Sequence, residues 1–306
     1  MSNTSDGQDA IATLTNYPLK IDSAGHRAAT IGLGPWKLFV HCTYGACNGN
    51  WAEYWYSVDF SGPRYYLQSV CNSAEAHAKT FLQTFQPINL WLKATLPNFS
   101  RQFDSDTGLI LKTLGEVQNN NPTPEQRQEI SRLLNESATG LEQSRGQLES
   151  GVSQMGGFLA EQENWGNLIS QAKDNLISSA QSSLKGMKDF TGGQPCGGGD
   201  ADAQQARFQA SFKTAVQQYE SIFGDLKRDT VAANASIARL MGIVTNFINY
   251  CTTSAETIKS AQGPTFVTFL QRIKANAAEK QWETLAAYAS GQFQNPALLD
   301  VLARAA

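Results

Sequence analysis

The feature that most constrains this chain is one very long hydrophobic stripe. From Phe212 the apolar residues step by alternating threes and fours: Phe212, Ala215, Tyr219, Ile222 and Leu226. The stripe passes Thr230 and resumes at Ala233, Ile237, Leu240, Val244, Phe247, Cys251, Ala255 and Ile258. Such stepping keeps one face of an α-helix apolar, and it is the seam along which long helices pair. Gly263-Pro264 stops it, because glycine and proline close a helix at its C-terminal end. The spacing predicts a helix of roughly 60 residues, about 90 Å long.

A second stripe precedes the first. Pro122 and Pro124 open it, with Thr123 as N-cap and Glu125 and Glu129 in the first turns. It reads Ile130, Leu134, Leu141, Leu148, Val152, Met155 and Leu159, then less regularly Trp165, Ile169, Leu176, Ala180 and Met187. Gly140, Gly146, Gly151, Gly156 and Gly157 each weaken it by up to ~1 kcal/mol against alanine. Gly156-Gly157 is the expected kink. Alternatively, these glycines let a neighbouring helix approach closely. A third long segment, Asn72 to Val117, is interrupted by Pro87 and Pro97, which bend or break it. Downstream, Thr265 to Ser290 carries Phe266, Phe269, Leu270, Ile273, Trp282 and Leu285. A short helix with Leu298 follows, its Asn295-Pro296 reading as N-cap and first turn.

Between the two stripes lies "TGGQPCGGGDAD", Thr191 to Asp202. A phosphate-cradling loop would need a strand before it and a Lys-Ser/Thr pair after it. A helix precedes this one and Asp200, Ala201 and Asp202 follow. Neither flanking helix can bury its stripe alone, so the segment reads as the tip of an antiparallel hairpin, with Asp200 or Asp202 capping the returning helix. The expected fold is mainly all-α: an elongated antiparallel bundle of long helices over residues 71–306, with its tip at 191–202. The turns at Asn119–Pro124 and Gln262–Thr265 fall together at the end opposite the tip.

Residues 1–70 form a separate segment near the tip. Its "GPWKLFVHCTYGACNGNWAEYWYSVDFSGPRYYL", Gly34 to Leu67, is rich in tryptophan and tyrosine. Trp36 to Thr43 and Trp51 to Phe60 are β-prone, and Gly45, Asn48-Gly49 and Gly62-Pro63 mark turns, which predicts a β-hairpin. Its aromatics either pack on the bundle or, as Trp36, Trp51 and Trp55, face a membrane or receptor, since such rings favour half-apolar, half-wet boundaries.

Chemistry-bearing clusters are sparse. Net charge is −3 with no long basic run, which argues against nucleic acid as a partner. MSNTSDGQDA has neither the basic nor the apolar region of a secretory signal. No stretch approaches the ~18 apolar residues that a membrane-spanning helix requires. The expectation is a soluble chain that leaves the cell by a non-classical route. Cys42, Cys47 and Cys71 fall within thirty residues, either with a disulfide among them or as reduced thiols; Cys196 and Cys251 stand apart. His26, His41 and His77 are the only histidines. No C-x-x-C or H-x-x-x-H spacing accompanies them, so neither a metal site nor a cysteine–histidine nucleophile is assigned. "GLGPW" at Gly32–Trp36 has proline in its turn and is no dinucleotide fingerprint. No enzyme activity, metal or cofactor is expected.

Helices this long, joined through an interruption at one end, resemble the α-helical pore-forming toxins of the cytolysin A and haemolysin BL type, over Asn72 to Ser290. The resemblance implies a soluble helical rod that rearranges on a target-cell membrane and assembles into an oligomeric pore. Several members act as sets of two or three proteins, some haemolytic or enterotoxic, others similar to insecticidal factors. The head of such proteins usually carries an apolar β-tongue that enters lipid. Here the tip is glycine-rich and polar, with no apolar tongue, and amphipathic sequence such as "DNLISSAQSSLKGMKDF", Asp174 to Phe190, flanks it. The resemblance therefore implies a hydrophilic-headed component that needs a partner protein and joins a hetero-oligomer. Gly192, Gly193, Gly197, Gly198 and Gly199 would form its mobile tip, and Met187 and Phe190 would join Trp36, Trp51 and Trp55 as contact residues. The rival class is a coiled-coil scaffold, a secretion-system tip or a phage component.

Overall fold

The computed structural model describes residues 4–31, 37–45, 51–59, 73, 76–190, 200–275 and 278–305; the two strands and residues 29, 172, 176, 177, 179–181, 183–190, 200–209, 211, 212, 270–275, 278 and 279 are described by their backbone. The fold is mainly α-helical, a bundle of long helices. Its elements are α1 (Thr4–Ala29), the strands β1 (Lys37–Gly45) and β2 (Trp51–Asp59), a helical run over 76–84 (α2), α3 (Gln86–Leu90), a π turn (Trp91–Thr95), α4 (Leu96–Gly115), α5 (Pro124–Phe190), α6 (Asp200–Ser260), α7 (Gly263–Ala275), α8 (Ala278–Gln292) and α9 (Pro296–Ala305).

The long stripe of α6 is its buried face. Ala215, Tyr219, Ile222, Leu226, Ala233, Ile237, Leu240, Val244, Phe247, Cys251, Ala255 and Ile258 are all buried. Thr230, which the apolar pattern skips, is buried too, and its hydroxyl pairs with the Tyr17 hydroxyl at 2.8 Å. In α5 the seam runs through Ile130, Leu134, Leu141, Leu148 and Met155 as expected. Val152 and Leu159 are only half-buried, and the seam takes Gly151 and Phe158 instead. Gly151 admits Ile88: a Cβ there would lie 2.7 Å from Ile88 Cγ1 and 3.4 Å from Ile237 Cδ1. At Gly140, Gly146, Gly156 and Gly157 a Cβ would meet nothing within 4 Å, and the helix runs on through Gly156-Gly157. Close approach therefore explains one glycine of the five.

The helix ends follow local chemistry. Gln126 N–H donates to Thr123 Oγ1 at 3.3 Å while Thr123 N–H donates to Gln126 Oε1 at 2.9 Å, a reciprocal capping box at the start of α5. Ala297 N–H donates to Asn295 Oδ1 at 3.0 Å, which caps α9. Asn119 and Asn120 adopt φ of 51° and 59°, and Gly263 adopts φ 49°. Gly263 N–H donates to the Asn120 carbonyl at 3.1 Å, so the two turns expected together do meet.

The third segment is interrupted at Phe85, just before Pro87, whereas Pro97 lies in a helical run that continues from residue 86 to residue 115 through a π turn. α2 ends at Phe85, whose carbonyl accepts from Ile88 and Asn89. Pro87 then starts α3, and a π turn leads into Pro97 at the start of α4. An element the sequence did not reveal is α1. Its buried residues Ile11, Leu14, Tyr17, Ile21, Ala24 and Ala28 also step by threes and fours, but Pro18 and Gly7 obscure the pattern.

The chain divides into two compact units. Unit 1 comprises residues 1–20, 80–158 and 229–306; unit 2 comprises 21–79 and 159–228. Unit 1 holds two aromatic clusters. In one, Tyr17 meets Phe81 and Phe85 edge-on at 5.7 and 5.5 Å, and Phe81 stacks on Phe158 at 3.9 Å. In the other, Phe247 packs edge-on against Phe99, Phe103 and Trp282 at 4.8–5.8 Å. The buried Asp106 carboxylate accepts from Ser137 Oγ at 3.0 Å and Gln102 Nε2 at 2.9 Å.

Unit 2 pairs the far part of α5 with the near part of α6. Glu163 meets Lys227 at 2.8 Å, and Lys173 meets Glu220 at 3.6 Å. Rising numbers on one helix match falling numbers on the other, so the pair is antiparallel. The Trp165 and Phe223 rings meet at 5.8 Å beneath these ion pairs. Tyr219 Oη donates to the Ala28 carbonyl at 3.0 Å and so satisfies a carbonyl at the end of α1.

Candidate functional site

β-branched and aromatic residues suit a pleated strand, and the module predicted to form a hairpin does so. β1 and β2 pair antiparallel over nine positions, from Lys37 opposite Asp59 to Gly45 opposite Trp51. Alternation along each strand then sorts the residues onto two faces. One face carries Leu38, Val40, Cys42 and Tyr44 opposite Val58, Tyr56, Tyr54 and Ala52, with no charged residue among them. The other carries Lys37, Phe39, His41, Thr43 and Gly45 opposite Asp59, Ser57, Trp55, Glu53 and Trp51. Trp51 and Trp55, both expected as contact residues, thus share the mixed face. The expectation that no apolar tongue is present is drawn from the segment between α5 and α6, whose residues 191–199 lie outside the described residues. It overlooked that this hairpin has one face of wholly apolar and aromatic composition.

The register also bears on chemistry. His41 and Cys42 are neighbours on β1 and lie on opposite faces, so one face does not offer both. His77 Nδ1 stands 3.3 Å from Glu161 Oε2, with its ring edge-on to Trp165 at 5.0 Å. Burial pushes the Cys251 thiol up to about 12, so it keeps its proton and is a poor nucleophile. Among the described residues no group of three His, Cys, Asp or Glu could hold a metal ion.

Other expected site residues fall as follows. Gly192, Gly193, Gly197, Gly198, Gly199 and Trp36 lie outside the described residues, as do Cys47, Cys71 and Cys196. Met187 and Phe190 belong to the last turn of α5, which ends at Phe190, and α6 begins at Asp200. Among the described residues one helical stretch, Lys213–Ser260 within α6, contains an 18-residue window of mean hydropathy 1.3, by length and composition enough to cross a membrane. This corrects the expectation that no stretch approaches spanning length, since polar residues scattered along α6 mask an apolar window that only an average reveals. Ile237, Leu240, Val244 and Phe247 in this stretch are buried, while 39% of the window as a whole is buried.

No protein-family model matches the chain, and no curated protein matches it in sequence. Among solved structures it is similar to soluble SmhA of the tripartite α-pore-forming toxin Smh from Serratia marcescens. The TM-score is 0.54 at 10% sequence identity, and the match covers 99% of this chain and 96% of that one. At that identity the likeness is one of fold.

Proposed function

We propose that this chain is a soluble component of an α-helical pore-forming toxin that assembles with partner proteins on a target-cell membrane. The observation that carries this reading is the likeness of fold to a tripartite toxin component over nearly the whole of both chains. The paired strands support it, because they present an aromatic-rich hairpin with one uncharged face. Such a hairpin suits a boundary between water and lipid, where tyrosine and tryptophan are favoured. In this reading the chain is a cytolytic factor without enzymatic activity, released from the producing cell and active at a host membrane.

The test is dye release from phosphatidylcholine vesicles. The chain alone is expected to release little. Mixed with the products of its neighbouring genes, it is expected to form discrete conducting pores. Tyr54→Ser with Tyr56→Ser, both on the uncharged face, is expected to weaken vesicle co-flotation of the chain while leaving its helical circular dichroism unchanged, and Trp51→Ser with Trp55→Ser tests the mixed face in the same way. If no such mixture permeabilises vesicles or cells, a helical scaffold is the better description.

A further inference from the structure

Residues 85–96 of unit 1 combine three features in one buried stretch. Leu96 N–H donates to the Trp91 carbonyl, closing a π turn over Trp91–Thr95. Asn89 and Trp91 are 3% and 1% exposed, yet neither amide atom of Asn89 nor Trp91 Nε1 has a hydrogen-bonding partner in the protein. Leu90, between them, is 54% exposed. Two polar groups are thus buried without partners while the leucine between them faces out. Such local conflicts are expected at strained or functional sites, where the rest of the fold holds an element against its own preference.

A π turn places one more residue between donor and acceptor than an α turn. Annealing it to α-helix, with α4 held in place, turns residues 86–91 back by one position, roughly 100°. Each residue then takes the place of the one before it. Leu90 enters the buried place of Asn89, and Trp91 moves to the exposed place of Leu90, where water can accept from its N–H. Asn89 enters the place of Ile88 beside Gly151. That is one helical turn from Gln154, whose Oε1 also has no partner. Pro97 opposes the change, because a continuous helix would drive its ring against the Lys93 carbonyl and leave that carbonyl without a donor. The break at Phe85 confines the rotation, so α2 need not turn with it.

We propose that residues 86–95 are a register switch with two packed states: the π-turned state described above, and an annealed α-helical state with Leu90 buried and Trp91 exposed. Membrane or partner contact is not required for either state, so the device is testable in the free protein.

The experiment places Leu90→Cys in the full chain and follows maleimide modification of that position by peptide mass mapping. Adding Pro97→Ala removes the obstacle to annealing. It is expected to slow modification about tenfold, the effect of lowering the exposed form to about a tenth. Deleting Ala94 in the same background removes the surplus residue and returns the present facing, so rapid modification is expected to come back. A rate unchanged by Pro97→Ala, in a protein with native circular dichroism, overturns the proposal. If that variant does not fold, amide hydrogen exchange on the unaltered chain decides. Residues 86–95 are then expected to exchange as one unit, about tenfold faster than residues 100–110. Equal protection of the two stretches overturns the switch. Neither readout uses a membrane, so failure here and failure of the pore-forming reading are separate outcomes.

Discussion

Within unit 1, the part of α6 from residue 229 and the stretch from residue 80 to 115 share a core through Phe247, Phe99 and Phe103, yet they are built on opposite plans. α6 buries its apolar stripe from Ala233 to Ile258 in one unbroken helix. The other stretch is interrupted at Phe85 and widens into a π turn at Trp91–Thr95, and its buried positions include the unpartnered Asn89 and Trp91. The difference comes from two residues. Pro87 and Pro97 each lack a backbone donor and crowd the carbonyl four residues earlier. A stripe without proline can commit its whole length to one register. A stripe with two must choose which side chains to satisfy, and here it leaves Leu90 out and Asn89 in.

The largest effect should come from cutting into the regular side. Phe247 is 7% exposed and touches Phe99, Phe103 and Trp282. Phe247→Ala is expected to cost about 3–5 kcal/mol, and Leu240→Ala about 2–5 kcal/mol. The exposed Gln217, on the other face of α6, is the control, and Gln217→Ala should shift the urea midpoint little. Equal effects at the three positions would mean that the stripe is not the seam.

The regular side also has an alkaline limit. Burial holds the Cys251 thiol at about 12 against an ordinary 9.0. Below pH 9 the thiol is protonated in folded and unfolded chains alike, and its stabilisation is fully present. Above that, the unfolded chain ionises first, and stability is lost as pH rises toward the folded value, by about 1.4 kcal/mol per pH unit. Tyr17, also raised by burial, adds a similar loss only beyond its ordinary 10.0. Urea titrations between pH 9 and 10 should therefore show a slope that Cys251→Ala flattens. A slope of the same size in the variant would assign the loss to other groups.

On the broken side the sign should reverse. Asn89→Leu replaces an unpartnered buried amide by an apolar group of similar size. It is expected to raise stability by about 1–2 kcal/mol, since an unmade hydrogen bond is then no longer buried. A loss of stability would show that Asn89 has partners in solution, and would weaken the contrast drawn here.

How much of this was legible follows from the same contrast. The stripes, the capping threonine and asparagine, and the turns at Asn119–Pro124 and Gly263 act through neighbours in sequence, and each could be named before the structure. The β-hairpin was legible from its aromatic strands, but its two faces needed the register, which pairs Cys42 with Tyr54 and His41 with Trp55. α1 was missed because Pro18 sits inside it, although Leu14, Tyr17 and Ile21 carry the signal. In α5 the seam positions Ser137, Ser144, Gly151 and Gln162 were invisible in a pattern of apolar residues. They depend on what comes from other elements: Asp106 for Ser137, Ile88 for Gly151.

Gly151 is where the two plans meet, and it gives the smallest and sharpest test. Alanine is the better helix former by about 1 kcal/mol, so Gly→Ala in an open helix position should stabilise. Gly157, where an added methyl would meet nothing within 4 Å, is such a position, and Gly157→Ala is expected to gain about 0.5–1 kcal/mol. Gly151→Ala gains the same propensity but sets its methyl 2.7 Å from Ile88 Cγ1, an atom of a fully buried, β-branched side chain. Overpacking of this kind costs about 1–3 kcal/mol, which leaves a net loss of about 1 kcal/mol or somewhat more. The two variants differ only in what stands opposite, so thermal unfolding should move in opposite directions for them. If Gly151→Ala stabilised as much as Gly157→Ala, Ile88 would have moved aside at little cost. α3 would then be held on α5 far more loosely than its burial suggests, and the broken segment would owe its place to neighbours other than Gly151.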